Sequence, residues 1–272
     1  MPLMNMICGV IALLSSLAAV QADHRYTPGP VLGLPGDLSE ISGLVAVDDR
    51  TVLAHNDEVG EVFSVNVGTG ETSLFMRLGT KTVRADFEGI TLLGPYVYLV
   101  TSDGLLFEAR REGAGITRRY NIYDTGLGDV CEIEGLGTSN EGDLLLLCKR
   151  AAPKDELARL RVFRWHPDKR LQPAEEWIDV AAATFMAGSP SGRDLTWTGI
   201  ERDPRTDGYL ILSSRGHVAV SLSADGTPLG VMPLSVSSHP QAEGIALLQN
   251  GTLVIADEGG KAAGRLTTYR PL

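Results

Sequence analysis

Acidic side chains recur in this sequence at matched places. Glu40-Ile41-Ser42-Gly43-Leu44, Asp86-Phe87-Glu88-Gly89-Ile90, Glu132-Ile133-Glu134-Gly135-Leu136, Thr196-Trp197-Thr198-Gly199-Ile200 and Gln241-Ala242-Glu243-Gly244-Ile245 repeat one pattern. Ahead of each glycine the alternate positions are Glu40/Ser42, Asp86/Glu88, Glu132/Glu134, Thr196/Thr198 and Gln241/Glu243, six of ten acidic, so any fold that gathers them on one axis must handle mutual repulsion. About fourteen residues beyond each glycine stand Asn56-Asp57, Ser102-Asp103, Lys149-Arg150, Ser214-Arg215 and Asp257-Glu258. Three chemistries relieve such crowding. Some carboxyls stay protonated, or Lys149, Arg150 and Arg215 pair with them, or a hard divalent cation takes their oxygens. Calcium accepts six to eight oxygen ligands in loose geometry and suits Asp, Glu, Asn and Ser. Zinc prefers His and Cys, and five histidines without a His-x-x-His spacing give it little to bind. The expected divalent site has Glu88, Glu134 and Glu243 at its core, assisted by Asp86, Glu132, Asp57, Asp103 and Asp257. The competing reading is structural: the same carboxylates cap strands and accept backbone N–H groups at junctions between repeats.

The elements that must position these residues follow from the repeat. The motif glycines Gly43, Gly89, Gly135, Gly199 and Gly244 are 46, 46, 64 and 45 residues apart, a period the size of a propeller blade. After each motif come an apolar run, a turn and a second apolar run, as in Tyr96–Val100 after Gly94-Pro95 and Thr252–Ala256 after Asn250-Gly251. Asn-Gly and Asp-Gly turns supply the positive φ that hairpins need. Third and fourth strands follow in most repeats, and four short antiparallel strands per repeat describe a β-propeller blade. The expected fold is all-β, a propeller of five four-stranded blades, with a sixth degenerate blade as the alternative. Residues Asp23 to Asp37 would supply the outermost strand of the last blade and close the ring. The long interval, Ala151 to Arg193, would hold a loop or small helix, with two helical turns over Pro153–Leu160. The aliphatic residue after each glycine should pack between blades.

Residues Met1 to Ala22 carry no charged side chain, and Ile7 to Val20 reads as the apolar core of a signal peptide with Val20-Gln21-Ala22 before a cut at Asp23. Cleavage would leave 250 residues, 272 less 22, as a propeller spanning 23–272 with no membrane span. An uncleaved anchor is the rival reading, since 22 uncharged residues just span a bilayer. In an exported chain Cys131 and Cys148 are expected to form a disulfide across the Asn140-Glu141-Gly142 turn; two buried thiols are the alternative. A net charge of -10 argues against nucleic acid as a partner.

Other chemistry has thinner support. Gly188-Ser189-Pro190-Ser191-Gly192 superficially matches a nucleophile elbow but lacks the strand-turn-helix setting and reads as a loop. His55 and His217 lie near second-strand exits, where a lone histidine is more often a hydrogen-bonding surface residue than a base. Glu201, two positions after its glycine, either reaches the central channel or pairs with Arg202 or Arg205.

The runs Leu38–Leu44, Phe87–Ile90, Ile133–Leu136, Thr198–Glu201 and Gln241–Ala246 together resemble the SdiA-regulated, YjiK-like family of bacterial exported proteins, in motif order and spacing from Gly33 to the carboxyl terminus. That resemblance implies a calcium-associated β-propeller in the periplasm or cell envelope, with no established reaction. The family lies near phytase-like and lactonase propellers; this chain lacks the dense Lys and Arg cluster a polyphosphate would need. Two functions are therefore carried forward. One is a calcium-binding propeller that recognises a small molecule or envelope protein without turning it over. The other is a metal-dependent hydrolase, of lactonase, esterase or phosphoesterase type, using the same acidic funnel.

Overall fold

Short runs of alternating and β-branched residues, separated by Gly-containing turns, form antiparallel strands throughout the chain. The computed structural model describes residues 21–22, 26–149, 159–191 and 194–272. The first blade is Ile41–Ala46, Thr51–Asn56, Glu61–Asn66 and Thr72–Leu78. The second is Phe87–Leu93, Tyr96–Thr101, Leu105–Arg110 and Tyr120–Asp124. The third is Ile133–Thr138, Leu144–Cys148, Arg159–Trp165 and Glu175–Ala181. The fourth is Trp197–Asp203, Gly208–Ser213, Val218–Leu222 and Pro228–Pro233. The fifth takes Ala242–Leu247, Leu253–Asp257 and Arg265–Pro271 from the carboxyl terminus and Tyr26–Gly33 from the amino-terminal side. Tyr26–Gly33 runs antiparallel to Arg265–Pro271, so the two ends of the propeller share one sheet and the ring closes as expected. Five blades stand around one axis, with the first strands of successive blades as neighbours.

Turn chemistry sets the hairpins. Gly251 has φ +83 in the Asn250-Gly251 turn, and Asp207, at φ 56, is of a residue type that tolerates the left-handed region. Two short segments extend sheets in parallel: Gln21–Ala22 against Gly230 and Val231, and Thr117–Arg118 against Arg77 and Leu78. The remainder of the expected leader, Met1 to Val20, lies outside the described residues.

The core is divided among the blade junctions. Five apolar clusters each join two neighbouring blades, for example Val45 and Leu53 of the first with Phe87 and Ile90 of the second, and Ile245 of the fifth with Leu210 of the fourth. Leu44, Ile90, Leu136, Ile200 and Ile245, the residues after the motif glycines, are all buried. Each such side chain contributes about 1.5–3 kcal/mol by leaving water. The glycines themselves let the blades approach. A Cβ on Gly89 would lie 2.7 Å from the backbone nitrogen of Leu136 in the next blade, and one on Gly244 would lie 2.9 Å from Leu44 Cγ across the closing junction.

Three expectations need correction. The Ala151–Arg193 interval holds the third and fourth strands of blade three, Arg159–Trp165 and Glu175–Ala181, as well as the four-residue helix Ala183–Met186. It is therefore more than a loop. Of the helix expected over Pro153–Leu160, Arg159 and Leu160 are strand, and 153–158 lie outside the described residues. His55 and His217 are buried, not at the surface. His55 Nδ1 donates to the Asn56 carbonyl at 2.8 Å, leaving Nε2 in the core without a hydrogen-bond partner among the described residues. His217 Nδ1 lies 2.9 Å from the His239 carbonyl.

Cys131 and Cys148 are bonded, with Cα atoms 5.8 Å apart. Cys148 is the register partner of Ile133, and Thr138 pairs with Leu144 rather than Asp143, so the bond ties the approach to the first strand of blade three to the end of its second.

Candidate functional site

Every first strand carries a β-bulge at the same place. The ladder skips between Ile41 and Gly43, Phe87 and Gly89, Ile133 and Gly135, Trp197 and Gly199, and Ala242 and Gly244. The unpaired extra residues are Ser42, Glu88, Glu134, Thr198 and Glu243. A bulge releases one residue from strict alternation and re-aims its side chain. Here five bulges surround the axis, and a small void of about 10 Å³ is lined by Ser42, Glu88, Thr198 and Glu243 with the motif glycines. That is room for about one water-sized occupant.

Backbone bonds lock this face. Asp57 N donates to Glu40 O at 3.2 Å while Phe87 N of the next blade donates to Asp57 O at 2.7 Å. Ser102 and Lys149 repeat the arrangement with Asp86 and Ile133, and with Glu132 and Trp197. Asp57, Ser102, Lys149, Ser214 and Glu258 are therefore equivalent second-strand exits, each donating its N–H to the start of its own first strand. They form a ring outside the bulge ring, together with Glu40, Asp86 and Glu132.

The electrostatics are one-sided. Burial pushes the Glu243 carboxyl up to about 8, with Glu258 and Glu88 adding to the shift. Burial also raises Glu88, with Glu134 adding repulsion and the 2.8 Å hydrogen bond from Ser42 Oγ opposing it. Glu134 is 4% exposed; burial raises its carboxyl against the pull of Lys149, whose ammonium contacts it. Lys149 also lies 3.1 Å from Glu132. Burial works against the Lys149 charge, yet Glu134 and Glu132 outweigh it and hold the ammonium above the ordinary lysine range. Asp57 is pushed up to about 6 by burial and then by Glu40, and Glu258 is raised by burial and Glu40.

The expected site residues thus separate. Glu88, Glu134 and Glu243 meet at the axis, and Asp57, Asp86 and Glu132 stand on the rim above them. Asp86 accepts a 2.5 Å hydrogen bond from Ser102 Oγ. Asp103 is exposed beyond the exit and accepts from Thr101 Oγ1. Asp257 turns away from the axis: it is fully buried, 2.7 Å from His239 Nδ1, and His239 Nε2 lies 2.6 Å from the Tyr269 hydroxyl. Its neighbour Glu258 takes the rim position. Counting would have found it, because Asp57, Lys149 and Glu258 all stand fourteen residues after their motif glycine. Ser42 and Thr198 are the hydroxyl members of the ring, and Thr198 Oγ1 donates to Ala242 O at 2.9 Å. Arg150 lies outside the described residues.

The other candidates have structural employment. Ser189 and Ser191 donate to the carbonyls of Gly216 and Arg215 at 2.8 and 2.7 Å. Arg202 and Arg205 pair with Asp207 and Asp203, and Glu201 feels Arg202 through space without a salt bridge to it among the described residues. Its carboxylate accepts from the backbone N–H groups of Arg202 and of Leu247 in blade five, and burial pushes its pKa up to about 8.

The ring offers oxygen donors of the type calcium takes, three carboxylates and two hydroxyls. As the side chains stand, Glu88 is turned to Ser42 and Glu134 to Lys149, and among the described residues no three His, Cys, Asp or Glu are gathered at metal-ligand spacing. The donor chemistry fits a hard cation; capture would require the carboxylates to turn inward from these partners.

Fold and site together define a five-bladed β-propeller with an acidic axial funnel. No family model matches the chain. Among solved structures it is similar to Myxococcus xanthus glutaminyl cyclase, with TM-score 0.60 and 15% identity over 90% of this chain and 95% of that one. It is also similar to XC5397, a gluconolactonase from Xanthomonas campestris, with TM-score 0.53 and 15% identity over 94% and 93%. A streptogramin B lyase follows with TM-score 0.51 and 10% identity over 91% and 100%. Likeness at these identities is a likeness of fold alone.

Proposed function

We propose that this chain is an exported, calcium-binding β-propeller of the SdiA-regulated, YjiK-like type, which holds a ligand or partner at the cell envelope through its axial funnel. The observation that carries the reading is the bulge ring. Glu88 and Glu243 line one small void, Glu134 stands on the bulge that follows Glu88 around the ring, and among the described residues Lys149, paired with Glu134, is the one basic side chain in contact with the three. Charge of one sign confined in a partly buried funnel favours a cation. Export is supported by the Cys131–Cys148 bond, which persists in oxidising compartments. Family membership is supported by the five motifs in register.

Binding is preferred to hydrolysis on two grounds. The axial void lined by Glu88 and Glu243 is the size of an ion or a water, and the roomier rim cavity of about 420 Å³ lined by Asp57, Glu58, Arg84, Ala85 and Asp86 contains no histidine. His55, His217 and His239 are buried in blade junctions, and His166 is held by Asp143 at 2.7 Å, so none of these imidazoles serves the funnel as a base. The test is calorimetric titration of the metal-free chain with calcium, with magnesium as comparison. Saturable binding near one ion per chain supports the reading, and its absence at millimolar calcium removes it.

A further inference from the structure

On the face opposite the funnel, at the outer rim of blade two, the chain builds a separate cavity of about 430 Å³. Its position follows from strand direction: Arg110 ends the third strand of the blade, while Tyr96 and Tyr120 begin the second and fourth. The connection after Arg110 crosses to the first blade, where Thr117–Arg118 pairs with Arg77 and Leu78. Arg118 pins that connection. It is 7% exposed, and its guanidinium donates to the carbonyls of Arg110 at 3.0 Å and Gly115 at 2.6 Å.

The charge balance of this cavity is unlike that of the rest of the chain. Arg110, Arg118 and Arg119 all line it, and among the described residues none of them makes an ion pair. Arg110 instead lies over the Tyr96 ring, 5.4 Å from its centroid. The buried carboxylate in the wall, Glu108, is already spent. It accepts from the hydroxyls of Tyr98 at 2.7 Å and Tyr123 at 3.2 Å and from Asn121 Nδ2 at 3.0 Å, and it pairs with Arg170 at 3.2 Å. Glu112 is exposed and lines the cavity without such partners.

We propose that this cavity binds a small organic anion, its phosphate, sulfonate or carboxylate head held by Arg110 and Arg119 and its ring-sized body lying against Tyr96 and Tyr120. Guanidinium groups match such heads in planar, bidentate geometry. The volume lies within the range of small-molecule sites, and tyrosines give apolar area with a polar tip. A local basic pocket on a chain of net charge -10 concentrates anions where the remaining surface repels them.

The experiment is calorimetric titration of the full chain, without calcium, using phenylphosphonate. Inorganic phosphate and benzyl alcohol serve as head-only and ring-only probes. Saturable phenylphosphonate binding is expected, tighter than either partial probe and weakened by added salt. Arg110→Ala or Arg119→Ala should each weaken it roughly tenfold or more, as expected for loss of charge-assisted hydrogen bonds. Lysine at either position should recover part of the loss, and Glu112→Gln should tighten binding. Both arginines are exposed, and among the described residues the double alanine variant loses only the Arg110 contact with the Tyr96 ring, so it should melt within a few degrees of the parent. Absence of binding at millimolar phenylphosphonate, binding unchanged in the double variant, or equal affinity for benzyl alcohol would each overturn the proposal. If the double variant melts early, the charge-retaining lysine pair decides: affinity lost there as completely as in the alanine pair counts against a charge-reading site.

Discussion

Ser42 Oγ donates a 2.8 Å hydrogen bond to Glu88 Oε2 across the junction of blades one and two, joining two bulge residues 46 positions apart. Thr198 likewise reaches the Ala242 carbonyl of the next blade, whereas Glu134 is met within its own blade by Lys149. Among the described residues, a bulge side chain thus hydrogen-bonds to the neighbouring blade at two of the five junctions, so the candidate site and the blade junctions share residues.

Glycine at the motif centre is a packing requirement. Gly89→Ala should cost about 1–3 kcal/mol, because the added methyl meets the Leu136 backbone and not a movable side-chain tip. Gly33→Ala, where a Cβ meets nothing within 4 Å, should stay within about 0.5 kcal/mol of the parent. Urea midpoints of both variants check this, and equal costs would contradict close blade approach.

The His55 contribution to stability should rise with pH from 4 to 6.5, against the opposite slope set by the raised carboxyls of Asp57, Glu201 and Glu243. Burial pulls the folded His55 pKa from 6.5 down to about 4, so between those values the unfolded chain binds the extra proton. The contribution, about 3 kcal/mol, is complete above pH 6.5 and is lost as pH falls to 4. His55→Gln should remove that positive term, so that stability falls more steeply with rising pH in the variant than in the parent. An unchanged slope in the variant would show that other groups carry it.

Reducing the Cys131–Cys148 bond should lower stability by about 3 kcal/mol in the chain-entropy model. Paired urea curves with and without reductant, compared with Cys131→Ser/Cys148→Ser, measure it. Two free thiols in protein recovered from the producing cells would count against an oxidising compartment, as would an amino terminus still carrying Met1.

Much of this was legible in sequence. The five glycines and their spacing pointed to five blades, with the 64-residue interval leaving a sixth open, and the aliphatic residue after each glycine marked the junction core. The residues before Asp37 were recognisable as the closing strand. The bulge was not legible, because an extra residue in a ladder leaves no mark in hydrophobic alternation when both faces are buried. The inner ring stands where the sequence placed it, at the position before each glycine. Asp257, by contrast, pairs with Ala242 as the last residue of its strand and lies in the core with His239, while Glu258, one residue on, faces the rim. The histidines were misplaced for a related reason. A polar residue in a buried strand gives no local sign of the backbone carbonyl that will receive its proton.

Lys149 is the internal counter-charge of the funnel. Lys149→Met should lower metal-free stability by about 1–3 kcal/mol, less than a fully buried pair because the lysine side chain is 26% exposed. It should also tighten calcium binding roughly tenfold, since the ion no longer competes with an ammonium for Glu134. Weaker calcium binding in this variant would place the ion elsewhere.

The central claim is that the bulge-ring carboxylates bind a divalent cation, and calcium-dependent melting of the wild type beside Glu88→Gln/Glu134→Gln/Glu243→Gln tests it most directly. The ion selects ionised carboxylates, so the effect should be larger near pH 8.5 than near pH 6, given a Glu243 pKa of about 8. At a hundredfold excess over Kd the wild type should gain about 2.7 kcal/mol, and the triple variant should gain almost none. A wild type indifferent to calcium, or a triple variant with the same gain, contradicts the account.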